Sequence, residues 1–208
     1  MKKRNKVNSN QEHILWMPMT DMLASTLMIT FLFIAVSTIV RAMNAKPPVI
    51  KLEDTADYRF GTGSFLLSRS FKASLHDRAI PQIKNTNKCY GIDTIEIIGH
   101  TDGRPGGSFS NLDKMIGQAA KTSELEKLIA GSNIDLGFLR GMSVKSEIQS
   151  ALNKSGLNTL GYRVLSAGST ISPDGIFLPG SKIDEMSRRR IEIRFLRISQ
   201  KPFIPRCS

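Results

Sequence analysis

Nineteen consecutive residues, Met22 to Val40 (MLASTLMITFLFIAVSTIV), carry no charge. Wound as a helix at about 1.5 Å per residue, the run covers about 28 Å, close to the hydrocarbon thickness of a bilayer. A buried core helix of that length would show a polar stripe, and here only scattered Ser and Thr interrupt the apolar residues. A cleavable leader would have a shorter apolar region and a small-residue cleavage site. This run is rich in β-branched residues near its end and stops at Arg41 with no Ala-x-Ala. It therefore reads as a retained membrane anchor, with the span placed at residues 16–41.

The flanks set the expected orientation. The tail over residues 1–15 holds Lys2, Lys3, Arg4 and Lys6 against a single Glu12, and positive flanks stay in the cytoplasm. Trp16 sits where an interfacial anchor belongs. Everything after Arg41 is then exported, which predicts a single-pass protein of the inner membrane with a periplasmic domain. The net charge of +11 is thus largely a property of the exported side. Nucleic acid, the usual partner for such a charge, is excluded by that topology. Anionic wall polymer or lipid headgroups remain, beside a simply solvated basic face. The two cysteines, Cys89 and Cys207, both fall on the exported side, where an oxidising compartment would allow them to bridge.

Residues 42–57 contain Pro47 and Pro48 with little periodicity and read as a linker. From Tyr58 to Ser208 the punctuation is that of one folded α/β domain. Thr94 to Gly99 is a strand-like run. Leu136 to Leu152 places Leu136, Val144, Ile148 and Leu152 on or near one helical face. Tyr162 to Ala167 is a short apolar run. Arg190 to Arg197 alternates, with Ile191, Ile193 and Phe195 against Glu192, Arg194 and Arg197. A stretch holding Phe71 and Leu75 reads as a helix broken near Pro81. The expected order is strand–helix–strand–helix–strand–strand. Residues 106–132, rich in Gly, Ser and Lys, show one short helix from Ser123 to Ile129.

Three segments carry a resemblance: Ile98-Gly-His-Thr-Asp-Gly103, Asn133-Ile-Asp-Leu-Gly-Phe-Leu-Arg-Gly-Met-Ser-Val144 and Arg189-Arg-Ile-Glu-Ile193. In this order they resemble the OmpA-like peptidoglycan-binding domain over roughly residues 58–198. The resemblance implies an α+β protein: one N-terminal transmembrane helix, then an OmpA-like α/β sandwich domain with a mixed sheet. It also implies that Asp102 and Arg140 hold the diaminopimelate of a wall peptide, with Thr101, Leu136 and Arg189 beside them. The chemistry is sound by itself. A zwitterionic amino-acid centre offers an ammonium to a carboxylate and a carboxylate to an arginine fork. The helix start, capped by Asn133, could add backbone donors. Without the resemblance, His100 and Asp102 would be a structural strand end, and Arg188, Arg189 and Arg190 a solvated strand edge. No further ligand cluster accompanies His100 and Asp102 to make a metal site, and no cofactor is expected. Three departures stand out. Gly141 follows the helix arginine and should weaken that turn, Arg188 replaces the final-strand asparagine, and residues 106–132 form an insertion beside the site.

Asp21 opens the apolar run. A carboxylate at the bilayer edge is costly and marks a functional site unless it merely caps the helix. Ala24, Ser25 and Met28 share its face, and small residues let a second helix approach. An acid at the start of a single span, a basic tail and an exported OmpA-like domain together resemble the B subunits of ion-driven stators. Those are the flagellar MotB family and the B subunit of the Zorya antiphage system. The short linker and the insertion fit the flagellar pattern poorly, so the antiphage layout is the nearer resemblance. It implies that Asp21 carries the ion, that the chain is a homodimer, and that its partner is a multi-span MotA-like (ZorA-like) subunit forming a ring of five. A passive membrane-to-wall tether would need Asp102 and Arg140 but not Asp21. No Ser–His–Asp or paired-carboxylate spacing favours an enzyme.

Overall fold

The computed structural model describes residues 9–44, 46–107, 109–122, 124–172, 175–183 and 185–199. The chain divides into two compact units that part between residues 45 and 46.

The first unit is helix α1, Ser9–Asn44. Its stretch from Pro18 to Val40, 23 residues of mean hydropathy 2.3 with none of it buried, is long and apolar enough to cross a membrane. Three threonines in that stretch turn their hydroxyls back onto the helix: Thr26 donates to Leu23 O, Thr30 to Leu27 O and Thr38 to Ala35 O. Their polar atoms are thereby satisfied without water. The helix starts well before the apolar run, so Asp21 lies inside it, three residues past Pro18, and does not cap its start. Lys2, Lys3, Arg4 and Lys6 lie outside the described residues, as do the side chains of Glu12, Trp16 and Arg41.

The second unit is the α/β domain expected, built on a mixed four-stranded sheet. Its strands are β1 (Ile50–Glu53), β2 (Thr94–His100), β3 (Gly161–Gly168) and β4 (Arg190–Leu196), in the order β1-β4-β2-β3. β4 runs antiparallel to both β1 and β2, while β2 and β3 are parallel. That parallel pair requires a crossover, which α5 (Asn133–Lys154) supplies. β1 lies within the stretch that reads as a linker. Ile50 and Leu52 face inward opposite Ile193 and Ile191, so the sheet begins eight residues before Tyr58. The alternation Ile-Lys-Leu-Glu is a strand pattern, but at four residues beside two prolines it is too short to be heard.

Helices α2 (Arg69–Ser74) and α3 (Ile80–Tyr90) run on from each other through a wide π turn at Leu75–Ala79. The expected break at Pro81 is absent. Proline cannot donate to a preceding carbonyl, and the wider turn, with Ile80 N bonded to Leu75 O, takes up the mismatch. The main core packs Phe71, Leu75, Ile83, Val144, Ile148 and Leu152 under Ile95, Ile97, Ile191 and Ile193 of the sheet.

The described residues of 106–132 fold as well. Helix α4, Leu112–Thr122, stands where no helix was expected, and the helix expected from Ser123 shrinks to a 3-10 turn at Leu125–Lys127. Leu112, Ala119, Leu125 and Leu128 pack on Leu139 and Met142 of α5 in a second core. The insertion thus covers the face of α5 turned away from the sheet.

Candidate functional site

Two glycines set α5 against the sheet. A Cβ on Gly99 would lie 2.6 Å from the carbonyl carbon of Gly137, with the oxygen nearer still, and one on Gly137 would lie 2.9 Å from Gly99 O. Backbone meets backbone there, which only glycine permits. One turn further, a Cβ on Gly141 would stand 2.8 Å from Val164 Cγ1. Gly141 therefore lets the helix sit close to Val164 of the sheet. The cap of α5 is Ser132, whose hydroxyl accepts from Asp135 N, and not Asn133. Asn133 instead donates from Nδ2 to Arg104 O, fastening the loop after β2 to the helix.

That docking opens a cleft of about 540 Å³. Thr101, Asp102, Leu136, Arg140 and Arg189, the five residues singled out from the sequence for wall binding, all line it. Asp102 leaves the end of β2, where Thr101 N donates to Gly168 O. Arg140 projects from α5 two turns in. Arg189 arrives just before β4.

The sequence did not announce how these groups are already paired. Asp102 Oδ2 accepts from Arg104 Nη2 at 2.6 Å and from Nε at 3.0 Å, and Arg189 Nη1 lies 3.3 Å away. Burial works to raise the Asp102 carboxyl, but the Arg104 hydrogen bonds and the charges of Arg104 and Arg189 outweigh it and hold the group below its ordinary value. Arg189 also donates from Nε to Asp54 Oδ2 at 2.5 Å, and Arg59 stands 3.5 Å from the other oxygen. Asp54 follows β1, in the stretch read as linker. It could not have been found before β1 was paired with β4.

Arg140 is buried, with 4% of its surface exposed. Its Nε donates to Ser64 O at 3.0 Å, its Nη2 to Gly61 O at 3.5 Å, and the guanidinium lies 4.8 Å from the Phe60 ring. Burial, followed by the neighbouring Arg189 charge, pulls its pKa to about 10, so it remains a cation at neutral pH. The side chain is both a wall of the cleft and the fastening of the 60–64 loop.

The neighbouring arginines are not a solvated edge. Arg188 donates to Pro179 O at 2.9 Å and pairs with Glu185, tying down the loop before β4. Arg190 is 5% exposed and gives its Nε to Glu192 Oε1 at 2.8 Å, while Arg194 donates to Oε2 at 2.7 Å. His100 lies behind the cleft, 3% exposed and 3.4 Å from Glu192. Burial and then the Arg190 charge lower its pKa to about 4, against the opposing pull of Glu192, so it sits there as neutral imidazole. Among the described residues no three His, Cys, Asp or Glu side chains gather as a metal would require.

Asp21, Ala24, Ser25 and Met28 fall on one face of α1, as the sequence suggests. Cys89 is buried in α3, while Cys207, its expected partner, lies outside the described residues.

No protein-family model and no curated protein matches the sequence. Solved structures with a similar layout include the cell-wall anchor of the type VI secretion system of Pseudomonas aeruginosa. It is 16% identical at a TM-score of 0.39, over 71% of this chain and 80% of that one. The periplasmic domain of Helicobacter pylori MotB is 16% identical at 0.41, over 74% and 83%. A MotB-like protein from Desulfovibrio vulgaris is 17% identical at 0.40, over 72% and 76%. Likeness at this level assigns no function.

Proposed function

We propose that the protein is a single-pass inner-membrane subunit whose exported domain grips peptidoglycan. The observation that carries this reading is the cleft itself, in which the separated sequence motifs meet: Thr101, Asp102, Leu136, Arg140 and Arg189 all line it, with Arg189 3.3 Å from Asp102. A carboxylate and guanidinium groups lining one cleft suit the ammonium and carboxylate of one diaminopimelate centre. Such a ligand is neutral overall, so its recognition rests on paired charges and does not need the domain's net basic charge.

The membrane half of the proposal is energy conversion. Asp21, beside Ala24 and Ser25 within the span, would carry a proton as the B subunit of a stator-type motor does. Two copies of the chain would stand inside a five-membered ring of a multi-span MotA-like subunit, held still by the wall. Antiphage defence is the role favoured, because the short linker and the insertion fit the flagellar pattern poorly.

Two measurements test the two halves. Purified wall sacculi should sediment the wild-type protein, and Asp102→Ala should remain in the supernatant; equal sedimentation of both removes the wall site. Asp21→Asn should insert, assemble and bind wall normally yet lose phage resistance or motility, whichever the host shows. Full activity in that variant would leave a passive tether.

A further inference from the structure

The sheet has two outer edges, and they are built differently. β1 closes one side with four residues, exposed Lys51 and Glu53, and Pro47 and Pro48 just ahead of it. Short length, charge and proline are the ordinary means by which an edge is kept from pairing. β3, on the other side, has eight residues and none of these guards. It holds no proline, and its one charge, Arg163, lies 3.6 Å from Glu96 of β2. The parallel ladder fixes which groups face the edge. Gly161 N donates to Asp93 O, so Gly161, Arg163 and Leu165 turn their backbone groups to β2, while Tyr162, Val164 and Ser166 turn theirs outward. None of the outward N–H and C=O groups of these three residues has a hydrogen-bond partner among the described residues.

We infer that β3 is a self-association edge, which pairs antiparallel with β3 of a second copy about a two-fold axis at Val164. In this register Val164 exchanges both hydrogen bonds with its counterpart, and Tyr162 does so with Ser166 in both directions. Every outward group of both strands is then used. Moving the axis by one residue, to Arg163 or Leu165, leaves one residue of each strand unpaired, and the first choice sets Arg163 against Arg163. The Val164 axis instead sets Arg163 against Leu165 of the other copy, so like charges never stand opposite. Leu165, 40% exposed on the face of the sheet away from α5, is covered by the aliphatic stem of that arginine. Helix α5 leaves room at the axis. Gly141 is its residue beside Val164, where even a Cβ would stand 2.8 Å from Cγ1, so it puts no side chain there. A second copy is the occupant because the strand is complementary to itself in this one register. Two copies that share a complex, as proposed above, also meet at a high effective concentration. The inference rests on that two-copy reading and names the surface by which the exported domains join.

The experiment separates the pairing from the two-copy reading. Full-length Arg163→Cys and Leu165→Cys chains with different tags are co-expressed, and their membranes are oxidised. Across the axis, residues 163 and 165 form a non-hydrogen-bonded pair with Cα atoms about 4.5 Å apart, within disulfide reach. The mixed 163–165 dimer should therefore exceed both like-with-like dimers. An excess of like-with-like dimers, or no disulfide dimer beyond that of the wild-type chain, overturns the pairing. Dilution of the full-length protein in detergent micelles supplies the second measurement, the dimer dissociation constant. Leu165→Lys sets an ammonium against Arg163 twice in each dimer and should weaken it about two- to thirtyfold, whereas Leu165→Glu should tighten it by a similar factor. Equal effects of the two substitutions, or none, also overturn the pairing. A lysine-reactive cross-linker on wild-type membranes tests the reading beneath it. A dimer caught there, with the other results against the pairing, leaves the two copies standing on another surface. No dimer with any reagent removes the two-copy reading and this inference with it.

Discussion

Replacing Gly99 by alanine adds one methyl group at the closest approach of helix and sheet. The new carbon would stand 2.6 Å from the carbonyl carbon of Gly137, whereas relaxed carbon contacts lie at about 3.5–4.0 Å. Helix α5 must therefore draw back by about 1 Å, and no rotamer change can relieve the contact because its partner is backbone. Overpacking of this kind costs about 1–3 kcal/mol in ordinary cores and more when the backbone must move, so we expect about 3 kcal/mol. For a domain of this size that lowers Tm by about 6–12 °C. Leu136 and Arg140 flank Gly137 on the same helix and line the cleft, so wall binding should weaken together with stability. Gly117→Ala is the control: it lies in α4 with nothing within 4 Å of the added carbon, and alanine there should gain up to about 1 kcal/mol of helix propensity. Urea unfolding of the fragment 46–208 measures both. Gly99→Ala within about 0.5 kcal/mol of wild type would refute the claim that this contact sets the helix position.

Glu192→Gln should destabilise the domain by about 3 kcal/mol, because it leaves the buried Arg190 guanidinium without its compensating charge; the same urea series reads it, and a neutral result would show that Arg190 finds another partner. Acid should weaken the domain through His100, whose pKa falls from 6.5 unfolded to about 4 folded. The unfolded chain binds the extra proton, so stability present above pH 6.5 is lost as pH falls toward 4, on the order of 3 kcal/mol in all. Urea midpoints at pH 7.5 and 5 should differ in the wild type and converge in His100→Gln, and equal midpoints in the wild type would contradict the buried neutral imidazole. Finally, Cys89 and Cys207 are proposed to pair in the exported domain. Thiol titration of the unfolded, unreduced protein should find none, and two titratable thiols would exclude the bridge.

The sequence by itself determined the elements whose signal is long or repeated. The uncharged run reads as a retained span, with a buried core helix and a cleavable leader as the readings weighed against it. The alternation of Ile191, Ile193 and Phe195, and the periodic apolar residues of α5, placed one strand and one helix within a few residues of their observed ends. Helix α4 was legible as well: Leu112, Met115, Ile116 and Ala119 stand at helical spacing, but the surrounding Gly, Ser and Lys hid it. Asp102, Arg140 and Arg189 are picked out through the resemblance of the three motifs that hold them, since local pattern alone reads Asp102 as a strand end and Arg189 as a solvated edge.

Only the tertiary structure decided what those residues do to one another. β1 is four residues long, and its pattern acquires meaning only when hydrogen bonds to β4 complete it; Asp54 enters the site by that pairing alone. Gly141 reads as a weak helix position until Val164 is seen pressed against it. Glu192 and Arg194 alternate outward as a solvated face should, yet β4 lies between two strands and Glu192 is buried among arginines. Local pattern encodes which side of an element turns inward, since that depends on neighbours three or four residues away. Charge pairing depends on groups up to 135 positions apart, as between Asp54 and Arg189, and is fixed only when the fold brings them within hydrogen-bond reach.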